Sequence, residues 1–124
     1  MQTFRDLKVW QKAHGLVLEM YKITKNFPVD EKFRLTSQIL RSSSSIPTNI
    51  VEGFKRKTTR DKSHFINLSE SSLEETKYHI ILARDLGYLD ADDFDRLNIL
   101  RDEVGRMLCG FNKRLCEKGD GINE

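Results

Sequence analysis

The 124-residue chain has only two prolines and two cysteines. Its apolar residues come in runs of a few residues, against about 20 for a membrane span, so no transmembrane segment is expected. The start MQTFRDLKVW has no apolar block followed by a small-residue cleavage site, so a secretory signal is not expected and a cytoplasmic location is the default expectation. Cys109 and Cys116 are seven positions apart, about 10 Å along a helix axis, too far for an intrahelical disulfide. With no CxxC spacing and no nearby histidine, they read as reduced, partly buried small residues. The three histidines, His14, His64 and His79, are dispersed, and HExxH, paired ExxH, glycine-rich phosphate loops and GxSxG elbows are all missing. No metal, no cofactor and no catalytic residue is therefore expected, and Glu70, Glu74, Glu75 and Asp85 read as an exposed acidic face.

What the chain does have is charge and helical periodicity. Charged residues make up 32% of it, with a formal net charge of +2. That small value hides an asymmetry: residues 1–64 carry thirteen Lys/Arg against six Asp/Glu, and residues 65–124 carry eight against thirteen. Such a separation permits an anionic partner without requiring one.

Four segments repeat apolar residues at steps of three and four, the spacing of one helix face. The first runs from Asp6, a capping residue, to Asn26, with Leu7, Trp10, Val17 and Tyr21 on its apolar face, and closes at Phe27-Pro28. Trp10 and Tyr21 are expected in the core. The second begins near Asp30, and its stripe of Phe33, Leu40, Ile46, Ile50 and Phe54 continues on both sides of the serines Ser42–Ser45. Pro47 removes a backbone donor and clashes with the preceding turn, so a kink or break is expected there. Thr58 or Thr59 caps a third segment that ends at Gly87, and Asp90 caps a fourth, from Ala91 to Cys116. The simplest packing is all-α: an antiparallel up-down four-helix bundle over residues 1–118, followed by a tail at 119–124.

The serine cluster invites a nucleophile, but a nucleophilic serine needs a base within hydrogen-bond reach and a group that orients the base. Small side chains in mid-helix suit another role better. They let two helices approach closely, and Ser42–Ser45 are expected to face Ser69, Ser71 and Ser72 or a neighbouring subunit. Glu52, next to the apolar stripe, is expected to be partly buried and to pair with Arg56 or Arg41, and Asn49 to bind backbone freed by Pro47.

The sharpest functional signal is basic. Lys55, Arg56, Lys57, Arg60 and Lys62 cluster around the turn between the second and third segments, where phosphates would meet both charge and a helix start. Arg5, Lys8 and Lys12 enlarge this patch if the fold brings them close. A solvated turn, or a scaffold that binds protein through an apolar patch, is the competing reading.

The stretches FRDLKVWQKAHGL (4–16), FP (27–28), FRLTSQILRSSSSIPTNIVEGFKRKT (33–58) and FINLSESSLEETKYHIILARDLGYL (65–89) resemble the small bacterial proteins first recognised as products of intervening sequences in 23S ribosomal RNA genes. The resemblance implies a four-helix bundle with Ile46, Pro47, Asn49, Ile50, Glu52 and Gly53 as its structural signature, flanked by Arg41 and Arg56. Through the related accessory proteins of diversity-generating retroelements it also implies a homopentamer with a basic surface that binds nucleic acid and a reverse transcriptase. Ser42, Ser43 and Ser44 stand where the family often has alanines and a valine, a small-for-small change.

Overall fold

The computed structural model describes residues 3–123, with side chains described through residue 117. Its four helices are α1 (Lys8–Thr24), α2 (Leu35–Lys55), α3 (Thr59–Asp85) and α4 (Ala91–Asn123). Short connectors reverse the chain between them, and each helix packs on its two neighbours around the ring, which gives the up-down bundle. The tail anticipated at 119–124 falls where side chains are not described.

The helix starts differ from the sequence expectation at two places. Asp6 does not cap α1. Thr3 caps a 3-10 turn, Phe4–Asp6, through a bond from Arg5 N to Thr3 Oγ1 (3.1 Å), and the Asp6 carboxylate accepts from Thr3 N (3.1 Å). The chain then passes through extended Leu7, whose side chain is apolar and cannot cap, into α1. Likewise α2 starts at Leu35 rather than near Asp30. After Pro28 a second 3-10 turn, Val29–Glu31, forms first, and Arg34, at φ −123° and ψ −111°, separates it from the helix. The Glu31 carboxylate bridges this break: it accepts from Leu35 N at 3.2 Å and from the Tyr88 hydroxyl at 2.7 Å.

Helix α4 runs to Asn123, past the end expected at Cys116, and the remaining ends are as expected. Thr58 Oγ1 accepts from Asp61 N (3.1 Å) at the start of α3, and Asp90 Oδ1 accepts from Asp93 N (2.7 Å) at the start of α4. Gly87 sits at φ +83°, a left-handed conformation in which a Cβ would be strained, and the Tyr88 N–H closes α3 by donating to Ala83 O (2.9 Å).

Helix α2 runs unbroken through Pro47. Side-chain donors supplement the backbone ladder on both sides of it: Thr48 Oγ1 donates to Ser44 O (2.8 Å), Asn49 Nδ2 to Ser45 O (2.9 Å), and Ser69 Oγ, from α3, to Ile46 O (2.9 Å). An interior proline costs about 3 kcal/mol, and full burial of Ile46 and Ile50 supplies about 1.5 to 3 kcal/mol each.

The core is built from Leu16, Met20, Ile39, Ile46, Ile50, Ile66, Ile80, Leu97, Val104 and Leu108, all essentially solvent-free. Three expectations about burial are corrected. Tyr21 is 52% exposed because α1 buries a narrower stripe than its periodicity suggests, and Phe33, expected in the stripe of the second helix, is 86% exposed because it precedes the start of α2 at Leu35. Cys109 and Cys116 are both exposed, lying on the outer face of α4.

The serine clusters of α2 and α3 face each other, except for Ser71, which is exposed. Ser72 Oγ lies 2.9 Å from Ser45 Oγ, Thr76 Oγ1 lies 2.9 Å from Ser42 Oγ, and Ser69 reaches the Ile46 carbonyl. Small side chains let the two backbones come near enough for hydroxyls to span the gap, which explains the serine-rich stretch as packing.

Candidate nucleic-acid interface

The turn between α2 and α3 is fixed by its own basic residues. A Cβ on Gly53 would stand 3.2 Å from Phe65 Cβ and 3.3 Å from Lys62 O, so glycine is what lets α2 and the start of α3 meet. The Lys62 ammonium then donates to Phe54 O (3.1 Å) and lies 5.9 Å from the centre of the Phe54 ring. Arg56, at the C-terminal cap of α2, stacks over Phe65 at 4.5 Å and pairs with Glu52 at 3.5 Å. Lys62 and Arg56 are thus partly committed to holding the turn.

Lys55, Lys57 and Arg60 differ. All three are exposed, and their side chains make no hydrogen bond or ion pair among the described residues. They present free positive charge beside the first turn of α3.

The antiparallel topology gathers more charge here than the turn itself carries. The start of α1 and the last turns of α4 lie at the same end of the bundle as this turn. Across residues 3–12, 52–64 and 103–117 there are eleven Lys/Arg and five Asp/Glu. At the opposite end, residues 22–34 and 84–96 hold six against seven. Arg5 and Lys8 stand at this same end of the bundle, while Lys12 is engaged with Glu103 at 3.1 Å. Arg106, Lys113 and Arg114 belong to it as well. Sequence reasoning overlooked them because they are about fifty residues from the turn, although an up-down bundle requires the end of α4 to return to the start of α1. A cleft of about 690 Å³ lies between the start of α1 and the end of α4, lined by apolar Leu7, Val9, Met107 and Phe111, by the cations Lys8, Arg106 and Arg114, and by the carboxylates of Asp6 and Glu103.

The signature residues divide by role. Ile46, Pro47 and Ile50 are buried in the core. Glu52 is exposed rather than partly buried, so its ion pair with Arg56 is a surface contact. Arg41 reaches across to Glu75 on α3.

One arrangement looks catalytic. Ser42 Oγ lies 3.0 Å from His79 Nδ1, and His79 Nε2 lies 4.0 Å from Glu75 Oε2. The order serine, histidine, carboxylate is that of a hydrolase, but Ser42 is fully buried beneath α3, so no substrate carbonyl can reach its hydroxyl. Burial pushes the His79 pKa below its ordinary value and so favours the neutral ring, with Glu75 acting in the opposite sense and Arg41 adding to the depression. The group is a polar clasp between α2 and α3. Among the described residues no cluster of three or more histidine, cysteine, aspartate or glutamate side chains is arranged to hold a metal ion, and no helix is long and apolar enough to cross a membrane.

Residues 5–110 match the family model described as 23S rRNA-intervening sequence protein. Among solved structures, the chain is similar to a protein of unknown function from the S23 ribosomal protein family of Bacteroides thetaiotaomicron VPI-5482, with 25% identity and a TM-score of 0.76, over 85% of this chain and 98% of the other. No curated protein matches.

Proposed function

The chain belongs to the 23S rRNA-intervening sequence protein family, and on that premise we propose that this non-enzymatic helical bundle contacts RNA or DNA through its basic end. The carrying observation is the convergence of the α2–α3 turn, the start of α1 and the end of α4 into one region with eleven cationic and five anionic side chains. A phosphate backbone is the polyanion that such a surface suits, because neutralising each phosphate releases condensed counterions. Lys55, Lys57 and Arg60 are the residues free to do so, with Arg56 and Lys62 holding the turn that presents them.

The test is salt-dependent RNA retention by the wild type and by a variant with Lys55, Lys57 and Arg60 all replaced by alanine. Losing three phosphate contacts lowers the slope of log K against log salt by about 2 to 3. An unchanged slope and affinity would defeat this site.

A second feature supports self-association, with no particular stoichiometry. Phe33, 86% exposed, stands with Tyr78 and Leu86 around a groove of about 560 Å³ at the other end of the bundle. An apolar surface of this kind suits another protein surface, a second copy included, and the same patch serves the scaffold alternative in which nucleic acid plays no part. Light scattering gives the stoichiometry, and a monomer at all concentrations removes the oligomer from the proposal. The link to retroelement accessory proteins and a reverse-transcriptase partner has no finding behind it and forms no part of the proposed function.

A further inference from the structure

We propose that the outer face of α1 is a stacking platform that selects single-stranded over double-stranded nucleic acid, an inference that rests on the basic-end reading above. The chain's one tryptophan, Trp10, is half-buried near the start of α1. Phe4 meets it edge-on, with ring centres 5.0 Å apart, which fixes the indole from the N-terminal side. His14, one turn further on, lies flat against it, 4.9 Å away and only 7° from parallel. The imidazole is exposed, so the stack is open to solvent at its outer end.

The stripe continues. Leu18 and Tyr21 follow on the same side of the helix, 50% and 52% exposed, about 16 Å along the axis from Trp10 to Tyr21. Trp10 packs one side against the core, whereas His14, Leu18 and Tyr21 are exposed, and α1 fills the core with Ala13, Leu16 and Met20.

Position and charge argue for the occupant. The stack begins at the end of the bundle where cations outnumber anions, beside Arg5, whose carbonyl is tied to α1 by Gln11 (2.8 Å). A flat aromatic surface next to a cationic one matches the two faces of an unpaired nucleotide, base and phosphate. A duplex keeps its base faces covered, so it satisfies only the cationic half of the surface. Single strands therefore gain an interaction that duplexes lack, and they gain it without sequence preference because every base has a π-face.

The experiment compares a single-stranded oligouridylate with a blunt RNA duplex of equal length, using the full chain. Binding of the single strand is expected to quench the emission of Trp10, which reports without a second tryptophan to confuse it. His14→Ala should weaken single-strand affinity roughly ten-fold, as for the loss of one stacked base, and leave duplex affinity within about two-fold. His14→Phe, which keeps a planar ring and loses the imidazole, should restore most of the loss. Equal binding of both probes with unchanged Trp10 emission overturns the platform while leaving the basic-end reading intact. Failure to bind either probe removes that reading as well. A change in molecular mass on His14→Ala assigns the stripe to contact between copies and also overturns the platform.

Discussion

Two seams hold this bundle together by opposite means. Between α2 and α3 the contacts are small hydroxyl side chains, Ser42, Ser45, Ser69, Ser72 and Thr76, bonded to one another, to His79 and to backbone. Between α1 and α4 the polar contacts lie at the surface, where Lys12 meets Glu103 and Glu19 meets Arg96, and the interior is aliphatic, with Leu16, Met20, Leu97 and Leu108. The first seam gains close approach of two backbones, and every buried polar atom it contains must then find a partner. It finds them: no buried side-chain nitrogen or oxygen is without a hydrogen bond among the described residues. The second seam needs less matching: Lys12–Glu103 stays in water, and only the Glu19 carboxylate, 21% exposed, is partly covered and is met by Arg96 and Lys22.

The contrast is broken most severely from the aliphatic side. Leu108→Ala, at a fully buried position, is expected to cost about 2 to 5 kcal/mol, seen as a large drop in the urea midpoint. On the hydroxyl side, Ser42→Ala removes little volume but leaves His79 Nδ1 without its partner in a buried place, and about 1 to 3 kcal/mol should be lost. If Ser42→Ala proves neutral, the clasp is packing alone.

A smaller effect separates the seams by pH. Because burial holds the His79 pKa below about 6.5 in the folded state, the unfolded chain binds this proton more readily. Stability from the neutral ring is complete above about pH 6.5 and declines as pH falls through the lower folded value. His79→Gln should flatten that slope in urea titrations taken at successive pH values, and a slope that persists assigns the loss to other groups. Least is expected from the exposed pair: a double-mutant cycle on Lys12 and Glu103 should give below about 1 kcal/mol, shrinking further in salt.

Much of the architecture was legible in the chain. The steps of three and four through Phe94, Leu97, Val104 and Leu108 marked α4, and Asp90, Thr58 and Gly87 marked helix ends, because caps and periodicity act within a few residues. Illegible were the effects of competition between local structures. Asp6 was spent on the 3-10 turn that Thr3 opens, and the residues after Pro28 formed such a turn before α2 could begin. At the candidate site the cluster from Lys55 to Lys62 was evident as charge, but nothing local distinguished Arg56 and Lys62, which bind Phe65 and Phe54, from the three that remain free.

By itself, then, the sequence determined four amphipathic helices, their short reversals and a basic turn, since each depends on residues no more than a few turns apart. Only the tertiary structure decided that the start of α1 and the end of α4 add their cations to that turn, and that Ser42 is closed in against His79. Both depend on which faces of distant helices meet, and that is set by the packing of all four stripes at once.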